Sequence, residues 1–229
     1  MRIYISIDGV LRNFLQKFEY HYNDYYLNNE PDGEESFKYG IDRPIHTVDN
    51  FKFQSKEEME VFMYLEFPLE IFGHAGLSSS TSMSDINKIV FGNKSHVFTF
   101  IGLDEYGKSK PSTLFFLSKN GFLGNNIKFI SKDNIKKEWK NCDIWVTDNQ
   151  DIIDECPINK VCYKFNTEYN NHFSYNNEIN NLKELEELCL KFSEKSTTLT
   201  LMQLVKNVEY KVKKLKMKLK TVKQKTNPC

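Results

Sequence analysis

The chain opens with an apolar run, RIYISI over residues 2–7, that is β-branched and aromatic and stops at Asp8-Gly9. That pattern predicts a buried strand ending in a turn. Residues 10–27 then place Phe14, Phe18, Tyr22 and Tyr25 at helical spacing. A polar stretch over 28–55, broken by Pro31, Gly33, Gly40 and Pro44, reads as a long loop or insertion. Helices are expected over 56–65 and 82–92, on either side of the run FPLEIFGHAGLSSSTS. From residue 96 the alternation is regular. Apolar runs at 96–102, 125–130, 142–148 and 159–165 are the expected strands, and 111–121 and 133–140 the expected helices. These runs are continuously apolar, which implies a parallel sheet covered on both faces. The expected fold is therefore α/β, with a three-layer Rossmann-like parallel sheet.

The first strand joins that sheet only if the residues between it and 96 are inserted. This divides the chain into a core of 1–13 and 96–180, a first helix plus insertion over 14–95, and C-terminal helices over 181–229. Residues 182–192 are amphipathic, and a longer helix is expected from about 197, after Ser196-Thr197-Thr198. Its apolar positions are Leu201, Val205, Val208, Val212, Leu215, Leu219 and Val222, a heptad seam.

Charge sharpens this division. The net charge is zero, yet residues 206–225 hold nine lysines and one acid, Glu209, for +8, so the remainder sums to −8. Residues 197–225 are thus expected to engage a protein partner or a second copy. Nucleic acid is a weaker expectation, since the segment lacks arginine and its only aromatic is Tyr210. No apolar run reaches the roughly 18 residues of a membrane span. Five scattered cysteines without CxxC spacing argue against a disulfide framework or a zinc site. An intracellular setting is expected.

In open parallel sheets the site lies beyond the carboxyl ends of the strands. Ser6 and Asp8, Gly102 and Asp104, Ser131 and Lys132, and Asp148 all fall there. With these motifs the chain resembles the haloacid dehalogenase-like (HAD) superfamily, especially 5′-nucleotidase-like and phage members, including relatives in crAss-like tailed phages. The carriers are IYISIDGVL at 3–11 and DIWVTDNQD at 143–151. The resemblance implies a helical cap within the insertion. It also implies a nucleophile position at Ser6, an acid/base at Asp8, and a phosphate-facing lysine at Lys132, with Lys136 the next match. Metal ligands would be Asp148 and Asp151.

The departures fall where the chemistry sits. Phosphoryl transfer through an aspartyl phosphate needs a carboxylate nucleophile, and the chain has Ser6 there. Gly102 lacks the hydroxyl found at that position, and Asn149 stands where a second acid is common. The expectation is a non-catalytic domain with no cofactor, acting in assembly; the resemblance implies a setting in the host cytoplasm or in a virion, as a part such as a tail or collar ring. The alternative is a Mg²⁺-dependent phosphatase. Asp8 can equally serve the turn and cap a helix, and Asp148 can bind metal or cap the next turn. His74 between glycines, and Lys108 with Lys110, are further candidates with ordinary structural readings.

Overall fold

A computed structural model describes residues 1–28, 51, 53, 55–171 and 173–192. At its centre is β1 (Arg2–Ser6), which can lie inside a sheet because both of its faces are apolar: Ile3, Tyr4 and Ile5 are all buried. It is flanked by β4 (Val97–Leu103) and β6 (Ile144–Thr147), with β5 (Ile127–Ile130) beyond the former. Beyond β6 come β7 (Val161–Phe165) and β8 (Glu178–Ile179). The order β5-β4-β1-β6-β7-β8 is parallel throughout. Alternation sorts the side chains by face. Tyr4, Ile101 and Trp145 pack with Ile135 and Trp139 around α5 (Ile135–Glu138), and with Ile152 and Ile153 of α6 (Gln150–Asp154). Phe100 points the other way and meets Phe122 just past α4 (Ser109–Lys119), ring centroids 4.6 Å apart. The fold is α/β, Rossmann-like, with helices on both faces of a six-stranded parallel sheet.

The helix expected over 10–27 starts later. The amides of Leu11 and Arg12 both donate to the Ile7 carbonyl, and Gly9 turns at φ +71°, so the chain loops before it becomes helical. Arg12–Asn13 then form β2, antiparallel to β3 (Gly76–Leu77), and α1 follows over Leu15–Asn28. Between the two hairpin strands lie α1 and α2 (Lys56–Val61). Two wide turns follow, closed by Phe67 N–H to Phe62 O at 3.0 Å and His74 N–H to Leu69 O at 2.9 Å. Phe18, Tyr22, Phe51, Phe62 and Phe72 give this region an aromatic core of its own. The helix expected over 82–92 is α3 (Ser82–Gly92), and that over 133–140 is α5 with a short 3₁₀ turn at each end.

Residues 1–186 form one compact unit and 187–229 a second, of which the described residues 187–192 are helical. The heptad seam from Leu201 to Val222 and most of the 28–55 stretch lie outside the described residues. Among the described residues no helix is long and apolar enough to cross a membrane.

One buried charge ties the hairpin to the sheet. Arg12 has no solvent exposure. Its Nε and Nη2 reach Asp8 Oδ1 at 2.7 and 2.6 Å, and Nη1 donates to the Phe72 carbonyl at 3.0 Å and to Thr113 Oγ1 at 3.1 Å. The guanidinium also lies over the rings of Phe72 and Phe116. Burial of this cation is offset by the Asp8 carboxylate and by hydrogen bonds from Nε and Nη1, while Nη2 has the ionic contact but no hydrogen bond. Thr113→Val keeps the shape of the side chain and removes one acceptor. It is expected to lower unfolding stability by about 1–3 kcal/mol, read from urea denaturation.

Candidate functional site

Ser6, Asp8, Lys132, Asp148 and Asp151 line one cavity of about 260 Å³ at the carboxyl ends of β1, β5 and β6. The topology brings them together because β1 sits between β4 and β6, so the ends of distant sequence segments become neighbours. What each side chain does there differs from what position alone suggests.

Ser6 is buried, and its hydroxyl is held from two sides. It donates to Thr147 Oγ1 at 2.8 Å and accepts from the Trp145 indole N–H at 3.2 Å. Thr147 Oγ1 also accepts the Asn149 amide at 3.2 Å. The chain Trp145–Ser6–Thr147–Asn149 staples β1 to the end of β6, and none of these groups is a base for the Ser6 proton. Asp8 is bound to Arg12 as described. Lys132 pairs with Glu60 of α2 at 3.3 Å, and its amide donates to Glu105 at 2.8 Å. Burial pushes the Glu105 carboxyl up. Lys136 is exposed and pairs at long range with Glu155, 3.6 Å away.

Other sequence candidates prove to be structural. Asp104 Oδ1 accepts from the Gly107 and Ser109 amides and from the Ser109 hydroxyl at 2.9 Å, shaping the loop that enters α4. Asn149 Oδ1 caps α6 through the Ile152 amide at 3.3 Å. Asp151, in the first turn of that helix, is exposed at the cavity edge. A Cβ at Gly102 would fall 2.9 Å from the Phe129 ring, so a side chain there needs that ring to shift. His74 is exposed against the ring of Phe115, and Lys108 and Lys110 are exposed, the latter over Phe129. Cys142, Cys156 and Cys162 carry free thiols, and burial pushes Cys142 up to about 12.

Asp148 differs from the rest. It lies so close to Gly9 that a Cβ there would fall 1.9 Å from its carboxyl carbon. No cation pairs with it among the described residues. Burial of the carboxyl, then the charge of Asp8, raises it to about 7, although the residue keeps some surface at the cavity wall. The same burial, together with Asp8, Glu105 and Glu60, pushes the Tyr64 hydroxyl well above its ordinary range. These donors do not suit Mg²⁺, which takes near-octahedral oxygen ligands including one or two ionised carboxylates. Among the described residues no three acidic, histidine or cysteine groups converge at ligating distance. Asp8 is committed to Arg12, which leaves Asp148 and the edge residue Asp151 as the cavity's carboxylates without an ion pair among the described residues.

Sequence reasoning missed Arg12, Thr113, Trp145, Thr147 and Glu60. The one available signal was Arg12 within the apolar run VLR, four residues after Asp8. No family model matches the chain, and no curated protein matches it.

Because the folded-state value of Asp148 lies above the ordinary 3.8, folding takes up a proton between the two. The cost of burying its charge is absent below about pH 4, grows as pH rises, and is complete above about pH 7. Asp148→Asn is therefore expected to stabilise the protein at pH 8 by up to about 4 kcal/mol. That advantage should vanish near pH 4, as followed by urea denaturation across pH.

Proposed function

We propose that this chain is a non-catalytic, HAD-like domain that serves in assembly. It engages a neighbouring protein or a second copy through residues 197–225, with a tailed-phage virion part, such as a tail or collar ring, as its setting. The observation that carries the non-catalytic half is the state of Ser6: its hydroxyl is buried and engaged by Trp145 and Thr147. A nucleophile must present a free lone pair to substrate with a base at hand. Here one of the two lone pairs accepts an indole N–H, and the proton is given to a threonine that is no base. The neighbouring acid, Asp8, is likewise committed to a buried guanidinium.

The assembly half is supported by the seam and by the split of charge, +8 over 206–225 against −8 elsewhere. Lysines flanking a seam repel in a parallel pair of identical helices, whereas an acidic surface relieves them. The competing reading, a Mg²⁺-dependent phosphatase, draws on the convergence of Ser6, Asp8, Lys132, Asp148 and Asp151 on one cavity. The occupied state of the first three weighs against it.

Purified protein is expected to show no turnover of nucleotides or an aryl phosphate with Mg²⁺. Ser6→Asp is expected to lose stability without gaining activity, because it breaks the Trp145–Thr147 chain and adds a carboxylate beside Asp8 and Asp148. Metal-dependent turnover by wild type that disappears in Asp148→Ala contradicts the non-catalytic reading. For assembly, sedimentation velocity is expected to show an oligomer that Val212→Glu with Leu215→Glu dissociates by at least about tenfold, as for a buried apolar anchor made charged. Equal sedimentation of the two proteins contradicts self-assembly through the seam.

A further inference from the structure

The negative charge that balances the lysine-rich segment is concentrated in the insertion. Residues 14–75 hold thirteen carboxylates against five lysines and arginines, a net of −8, and everything outside 14–75 and 206–225 sums to zero. The two segments therefore match in magnitude and oppose in sign.

The described part of the insertion has a face suited to an amphipathic partner. Helix α1 turns Phe18 and Tyr22 inward with no exposure and leaves Tyr20 61% and Tyr25 42% exposed. Tyr20 lies edge-on to His21 at 5.1 Å, His21 stacks on Phe67 at 6.0 Å, and Tyr25 meets Phe67 at 5.5 Å. These four rings form a row that crosses from α1 to the first wide turn. Rings offer a large apolar area, and their faces attract cations. Lys17 already lies 5.5 Å from the centre of the Tyr20 ring. Carboxylates border the row. Asp24 is exposed one turn after Tyr20, Glu66 is exposed beside Phe67, and the charge of Glu70 acts on the His21 ring. Glu66 and Glu70 form no ion pair among the described residues.

Residues 197–225 carry the complement, seven apolar residues at heptad spacing and nine lysines from 206 onward. Apolar positions suit the rings, and long lysine stems cover apolar surface while their heads reach the acidic rim. We propose that this aromatic, acid-bordered face of the insertion receives residues 197–225 of a second copy, each copy giving its segment and receiving the other's. Such an exchange is two-fold symmetric, with two equal junctions. It cancels the charge of both segments without a foreign partner. The exchange rests on the assembly role proposed above and adds the surface that receives the segment.

Sedimentation velocity of the full chain is the test. Wild type is expected to be a dimer whose dissociation constant rises at least about tenfold between about 0.1 and about 1 M NaCl. Glu66→Lys with Glu70→Lys should weaken it by about tenfold or more at low salt. Tyr20→Ala, at an exposed position, should weaken it several-fold and decides the matter should the charge reversal misfold. The charge-reversed chain keeps an intact segment, and Val212→Glu with Leu215→Glu keeps an intact face. Each alone is expected to be monomeric, and their mixture to form a complex with one copy of each, through one junction in place of two. A monomeric wild type overturns the exchange and leaves the assembly role only a foreign partner. A dimer that the seam variant dissociates and the face variants leave intact overturns the exchange alone. So does a mixture that forms no complex.

Discussion

Arg12 places a guanidinium with no solvent exposure at the point where three parts of the chain meet. Removing such a charge from water costs several kcal/mol, offset by the Asp8 carboxylate and by hydrogen bonds from Nε and Nη1 to Asp8, the Phe72 carbonyl and Thr113. Each partner comes from a different place: the turn after β1, the second wide turn before β3, and helix α4. The charge thus acts as a joint between the central strand, the aromatic insertion and the sheet's covering helix. The backbone reinforces it, since the Gly9 amide donates to the Arg12 carbonyl at 2.9 Å and closes the same turn.

This joint fixes what the strand ends are free to do. Asp8 cannot leave Arg12 without stranding a buried charge. Ser6 cannot turn into the cavity without breaking the Trp145 and Thr147 contacts, and Phe129 fills the space a side chain at Gly102 would need. Lys132 is answered by Glu60. The positions at Ser6, Asp8, Gly102 and Lys132 therefore each have a structural occupant, whereas Asp148 and Asp151 do not. Asp148 keeps an unpaired carboxyl, whose burial beside Asp8 raises its proton affinity.

The parallel sheet was legible because five of its strands are predominantly apolar runs, separated for the most part by helical spacing. Central placement of RIYISI followed once the intervening residues were read as inserted. The convergence of Ser6, Asp8, Lys132 and Asp148 was legible for the same reason, since strand ends in such a sheet share one edge. What the sequence hid was pairing. Two-residue strands such as Arg12–Asn13 and Glu178–Ile179 are too short to show a period, and the early turn at Gly9 was absorbed into the helical spacing of Phe14 and Phe18. Burial of Arg12 depends on partners up to 101 residues away, which no local pattern shows. Trp145 and Thr147 fall inside an apolar strand run, where nothing marks their polar atoms as the ones that hold Ser6.

The central claim is that Asp8 belongs to Arg12 and holds the fold together. A double-mutant cycle of Asp8→Asn and Arg12→Met, followed by urea unfolding, measures this directly. The structure predicts strong non-additivity, a coupling of about 2–3 kcal/mol, because either single change strands the other partner and the pair of changes removes both. Additivity to within about 0.5 kcal/mol would mean that Asp8 and Arg12 do not depend on one another. Asp8 would then be free to act in the cavity, and the structural reading of the strand end would be wrong.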